Sequence, residues 1–144
     1  MSPDVFGGPP RHHHAALSVS NLDAAAGWYG EMLGFQAQAA RRLELPHLRA
    51  ALLQRDGFRL ELIELYGSEA SPLAWQEPDA QMKTRGYAHY AFQVADLDAT
   101  IAALQAKGAR FACEPGHLPA LGIRYVHIFD LDGNLVEFAQ ELGA

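Results

Sequence analysis

The chain has 144 residues, 49% of them apolar and 19% charged, with 17 acidic against 11 basic side chains and a formal net charge of −6. That composition suits one compact domain able to bury a core. It excludes a disordered or fibrous chain, and it lacks the cationic face that a phosphate backbone requires, so nucleic acid is not expected as a partner.

Cys113 is the only cysteine, so an internal disulfide and a multi-thiolate zinc site are both excluded. Any metal must be held by nitrogen and oxygen. Apolar runs such as Ala99 to Ala103 are too short to cross a bilayer, and the N-terminus lacks the features of a signal peptide. A cytoplasmic protein with no membrane partner is expected.

Residues 1–11 read as a flexible, Pro/Gly-rich tail. The segment from His14 to Asp23, His-Ala-Ala-Leu-Ser-Val-Ser-Asn-Leu-Asp, lies over His89 to Asp98, His-Tyr-Ala-Phe-Gln-Val-Ala-Asp-Leu-Asp, at a constant offset. Such self-similarity predicts a repeated structural unit. In the first copy, Asn21 or Asp23 caps a helix carrying Ala26, Trp28, Tyr29, Met32 and Leu33 and stopping at Gly34. In the second, Asp96 or Asp98 caps Ile101, Ala102 and Leu104, with the stop at Gly108.

Strands are predicted after the first helix at Leu48 to Gln54 and Arg59 to Tyr66, joined by a hairpin turn at Arg55-Asp-Gly57. After the second helix they are predicted at Ile123 to Phe129 and Leu135 to Gln140, joined through Asp130 to Asn134. Each half is read as βαβββ, with the last two of its strands placed. The expected architecture is α+β: module 1 over residues 12–67, a linker over 68–86 and module 2 over 87–144. Together they form one structural domain with a curved, barrel-like mixed sheet and helices outside.

Side chains two apart on a strand share a face. The apolar sets, Ala15, Leu17 and Val19 in one copy and Tyr90, Phe92 and Val94 in the other, are expected to face the helices. His14 and His89 then point the other way. In the closing strands, Glu61 and Glu137 likewise oppose the apolar sets Leu60/Leu62 and Val136/Phe138. A carboxylate among apolar strand neighbours is costly unless its charge is compensated. Two imidazoles and two carboxylates at equivalent places of a repeat make a mixed nitrogen and oxygen donor set. That set suits one divalent ion of zinc, nickel, cobalt, manganese or ferrous iron.

These residues resemble the vicinal oxygen chelate superfamily, which includes glyoxalase I, methylmalonyl-CoA epimerase, extradiol dioxygenases and the fosfomycin- and bleomycin-resistance proteins. The segments that carry the likeness are those around His14 and His89, Trp28-Tyr29, Leu33-Gly34-Phe35, Leu60-Glu61-Leu62, and Phe129 to Glu137. The resemblance places the metal ligands at His14, Glu61, His89 and Glu137, with a glutamate second as in glyoxalase I. It implies proton abstraction beside a carbonyl through an enediolate, with Glu137 or Glu61 as the catalytic base. Glutathione-using glyoxalases carry an arginine and an asparagine near the places held here by Ser18 and Leu65, so the small-molecule substrate is expected not to be glutathione-linked.

Candidate substrate contacts are Trp28, Tyr66, Phe111, His117, Arg124, Tyr125 and His127. A second reading is an extradiol-type ring-cleavage dioxygenase, with Tyr125 or His127 as an auxiliary acid or base. A third is a non-catalytic, bleomycin-resistance-like protein that sequesters an antibiotic in a cleft lined by Trp28, Trp75, Tyr66 and Phe111. Exposed sheet edges lead to the expectation of a homodimer.

Overall fold

The computed structural model describes residues 4–143; the first three residues of the expected tail, and Ala144, lie outside the described residues. Module 1 begins with β1 (Ala15–Ser18) and α1 (Leu22–Leu33). It continues through β2 (Gln36–Glu44), β3 (Leu48–Arg55) and β4 (Phe58–Leu65). The linker contains a short helix, α2 (Pro78–Gln81), with proline in its first turn, where the missing N–H costs nothing. Module 2 follows with β5 (His89–Gln93), α3 (Leu97–Ala106), β6 (Arg110–Phe111), β7 (Gly116–Leu118), β8 (Ile123–Phe129) and β9 (Leu135–Glu141).

The helix boundaries follow from local chemistry. Asn21 Oδ1 accepts from the Ala24 N–H at 2.9 Å, and Asp96 Oδ1 accepts from the Ala99 N–H at 3.0 Å. Asn21 and Asp96 are therefore the N-caps, rather than Asp23 and Asp98. Gly34 closes α1 at φ 75°, a left-handed conformation in which a side chain would be strained. Asp56 and Gly57 both take positive φ, 46° and 81°, as the two-residue turn between β3 and β4 requires.

The strands form two curved sheets, ordered β1-β4-β3-β2 and β5-β9-β8-β6, with β7 also pairing β8. They do not close into a barrel, and among the described residues no strand of one sheet pairs with a strand of the other. In each module the first strand runs parallel to the last, and the intervening hairpin is antiparallel.

A single core joins the modules. It includes Leu22, Tyr29, Leu53, Leu60 and Leu62 of module 1 with Leu97, Val126, Ile128 and Phe138 of module 2. Phe58 packs against Phe92 with tilted rings whose centroids are 4.7 Å apart. No helix among the described residues is long and apolar enough to cross a membrane.

Candidate functional site

In module 1, β1 and β4 place Ala16 beside Glu61, and Leu52 of β3 stands on the other side of Glu61. His14 lies two residues before Ala16, just ahead of the strand, and its Nε2 is 3.0 Å from Glu61 Oε2. Module 2 repeats the arrangement. Ala91 of β5 lies beside Glu137, His89 is two residues earlier, and its Nε2 is 2.5 Å from Glu137 Oε2. Strand alternation therefore gives each module one histidine–glutamate pair, on the face opposite its apolar set.

The pairs differ in depth and in neighbours. Glu61 is about one third exposed, whereas Glu137 is buried. Across from Glu137, in the place that Leu52 holds in module 1, stands His127. This imidazole is only 4% exposed. Its Nδ1 lies 3.5 Å from Cys113 Sγ, and its Nε2 is 4.0 Å from Glu137 Oε2.

That Nε2 is buried without a hydrogen-bond partner among the described residues. A buried polar atom left unpaired costs on the order of 1–3 kcal/mol, which a ligand can recover. His89, His127 and Glu137 bring three donor atoms within 4.8 Å of one another.

The electrostatics follow this geometry. Burial, reinforced by the neighbouring His89, holds His127 at about 4, so its ring is neutral near pH 7 with a lone pair free on one nitrogen. The hydrogen bond from His89 keeps the Glu137 carboxyl below its usual range, against the opposing effect of burial. Both states are those a metal ligand needs: a neutral imidazole and an ionised carboxylate. The donor chemistry thus fits a divalent ion, and His127 supplies the unsatisfied atom that such an ion would engage.

Of the expected metal residues, the structure brings His14 to Glu61 and His89 to Glu137. It does not gather all four: among the described residues, no cluster of three donors draws on both pairs. The expected substrate contacts scatter. Tyr125 and His127 share the Glu137 side of β8, with ring centroids 5.4 Å apart. Trp28 and Phe111 pack against the core instead. Arg124 points the opposite way from Tyr125 and pairs with Asp98 at the start of α3, at 3.0 Å.

His117 is exposed on β7 beside Arg124, and Tyr66 is exposed on a cavity of about 480 Å³ lined also by Ser18, Leu48, Arg49 and Glu64. None of the four expected metal residues lines that cavity. The expected aromatic cleft does not form as one wall, since Trp75 packs at a tilt against Phe129 and lies under Arg110 rather than joining Trp28.

Sequence reasoning treated His127 as a substrate contact or auxiliary acid, not as a metal donor. The signal was available: a hairpin centred on Asp132 puts His127 opposite Glu137.

These features define a two-module βαβββ protein in which each sheet presents a histidine–glutamate pair suited to a divalent metal. The chain belongs to the Glyoxalase/Bleomycin resistance protein/Dioxygenase superfamily, whose family model matches residues 11–138.

It is 26% identical over 132 residues to the mitochondrial methylmalonyl-CoA epimerase of Homo sapiens, covering 90% of this chain and 73% of that protein. The crystal structure of a glyoxalase family protein from Enterococcus faecalis superposes with a TM-score of 0.75 at 25% identity, covering 90% of this chain and 96% of that one. A glyoxalase I mutant from Zea mays shares the fold with a TM-score of 0.68 at 23% identity, covering 90% of this chain and 44% of that one.

Proposed function

We propose that the protein is a divalent-metal-dependent lyase, isomerase or epimerase that removes a proton next to a carbonyl group in a small-molecule substrate not linked to glutathione. The observation that carries this reading is the repeated pairing: a histidine two residues before an alanine that is itself paired with a glutamate, once in each module. A purely structural role gives no reason for the same polar pair to recur on both sheets amid apolar neighbours. The similarity to methylmalonyl-CoA epimerase adds a relative whose name describes inversion at one centre.

A bound divalent ion would supply stabilisation of the negative charge that develops on the substrate oxygen. The chain's own residues do the rest. Glu137, ionised and buried, is the stronger candidate for the base that accepts the carbon-bound proton; Glu61, on the equivalent strand, is its counterpart. His89 holds the Glu137 carboxylate in place through its 2.5 Å contact. The apolar strand residues around Glu137 limit the water that solvates its carboxylate, which keeps it ready to accept the proton.

A homodimer belongs to this reading. Among the described residues no strand pairs with the outer edge of β1 or β5, and a second copy placed there brings the His14–Glu61 pair of one chain to the His89–Glu137 pair of the other.

The test is deuterium exchange in D₂O, followed by proton NMR, on a panel of 2-branched thioesters and 2-hydroxy ketones, with cobalt- or nickel-loaded protein. Exchange at the carbon beside the carbonyl, abolished in Glu137→Gln, supports the proposal. Absence of exchange across the panel, together with turnover of catechols by the ferrous protein, would favour ring cleavage instead.

A further inference from the structure

Where the two modules meet, the core is not fully closed. An open cavity of about 600 Å³ lies against the ends of α1 and α3, β5 and the β3–β4 turn, and neither histidine–glutamate pair lines it. Its walls include Leu33, Phe35, Phe58, Phe92, Leu104 and Phe138, which all belong to the core that joins the modules or pack against it. Water in such a space finds no partner on the rings, and an apolar group that displaces it gains affinity. The volume lies within the range of small-molecule sites.

The rim has the opposite character. Arg55 and Lys107 stand on it, and Asp56 is the sole acid among its lining residues. Both cations reach the last turn of α1, where carbonyls without helical partners carry the negative end of the helix dipole. An Arg55 guanidinium N–H donates to the Leu33 carbonyl, and Lys107 Nζ donates to those of Glu31, at 2.9 Å, and Met32, at 3.4 Å.

Those bonds hold the charges in place without exhausting them, since a guanidinium has five N–H donors and an ammonium three. Asp56 meets Arg55 at its Nε, at 3.4 Å, and Lys107 pairs with no carboxylate among the described residues. On a chain of net charge −6, this is a local excess of positive charge beside an apolar recess.

We propose that this cavity binds an amphipathic monocarboxylate of medium chain length, with its apolar body against the phenylalanines and its carboxylate at Arg55 and Lys107. A wholly apolar ligand leaves the two cations unused, and a small inorganic anion leaves the rings in water. The site is separate from the histidine–glutamate pairs and does not rest on the metal-dependent reading. Ala91, at its edge, nonetheless lies beside Glu137 in the sheet, so an occupant touches the strand that carries His89.

The experiment is calorimetric titration of the full chain with octanoate, octan-1-ol and sulfate, in the presence of a chelator so that no metal engages the carboxylate. Octanoate is expected to bind once per chain, about tenfold or more tighter than octan-1-ol, the margin that a charge-assisted hydrogen bond gives. Sulfate is expected to give no measurable heat. Lys107→Met should remove most of that margin and leave octan-1-ol unchanged. Ala103→Trp, at an exposed helix position on the cavity wall, should abolish binding of both.

Equal affinities for octanoate and octan-1-ol overturn the proposal, and so does sulfate binding as tightly as octanoate. An Ala103→Trp chain that is folded by circular dichroism and binds octanoate like the parent overturns it as well. Absence of octanoate binding is equally fatal, and light scattering then shows whether a second copy covers the cavity. None of these outcomes bears on metal retention, which a separate measurement decides.

Discussion

The hydroxyl of Tyr29, on the helix of module 1, donates to the buried carboxylate of Asp130, in the β8–β9 turn of module 2, at 2.7 Å. Tyr90 in turn donates to the Tyr29 oxygen at 2.8 Å. The remaining capacity of Asp130 is filled by the N–H groups of Asp132 and Asn134 and by Asn134 Nδ2. This chain of bonds ties the module 1 helix to the turn that sets the register of His127 against Glu137.

Tyr29→Phe keeps the ring packing but leaves Tyr90 without its acceptor and Asp130 one donor short. The expected cost is on the order of 1–3 kcal/mol, because the groups left behind are buried. Urea denaturation followed by circular dichroism measures it. A midpoint unchanged from the parent would show that the tie does not hold the modules.

Gly116 has a different use from the turn glycines. A Cβ built there would lie 2.3 Å from Tyr125 Cζ, although the backbone itself is unstrained. The glycine is needed because the tyrosine ring occupies the space a Cβ would fill. Gly116→Ala is expected to push Tyr125 off the strand face it shares with His127, at about 1–3 kcal/mol of overpacking. A cobalt spectrum altered alongside the loss of stability would show that the displacement reaches the site. At Gly57, where an added Cβ meets nothing within 4 Å, only the positive φ is at stake, and the spectrum should not change.

Acid should destabilise the metal-free protein through His127. Its folded value of about 4 lies below the ordinary 6.5, so the unfolded chain takes up a proton that the native site refuses. The stability is whole above pH 6.5 and declines as pH falls towards 4, by up to about 3 kcal/mol. Glu137, also held low, adds a second loss at more acidic pH, as protons reach its carboxylate. His127→Gln should flatten the decline between pH 6.5 and 4 when denaturation midpoints are compared across that window. Parallel curves for the two proteins would count against a buried neutral imidazole.

Much of this was legible because hydrophobic alternation and capping are local signals. The match of His14–Asp23 to His89–Asp98 located β1, β5 and both helices, and Arg55-Asp-Gly57 located a hairpin. Strand β2 was not legible. Gln36 to Glu44 is polar and mostly exposed, runs along a sheet edge and carries an irregularity between Ala37 and Arg42, so no apolar period marks it.

Its counterpart in module 2 shrinks to Arg110–Phe111, with Gly116–Leu118 filling in beside β8. The site was half legible for a related reason. Comparing the repeats reveals what they share, the two histidine–glutamate pairs, and hides what only one of them has. His127, which faces Glu137 where module 1 has Leu52, has no counterpart that such a comparison could reveal. That the two pairs stay apart in one chain depends on how the modules dock, which strand patterns do not encode.

Elemental analysis of tag-free protein, equilibrated with each divalent metal in turn and then desalted, addresses the central claim most directly. The account predicts about one equivalent of zinc, cobalt, nickel or iron per chain in the parent and none in His89→Ala or Glu137→Gln. A parent that retains none of these metals, or variants that retain as much as the parent, would contradict it.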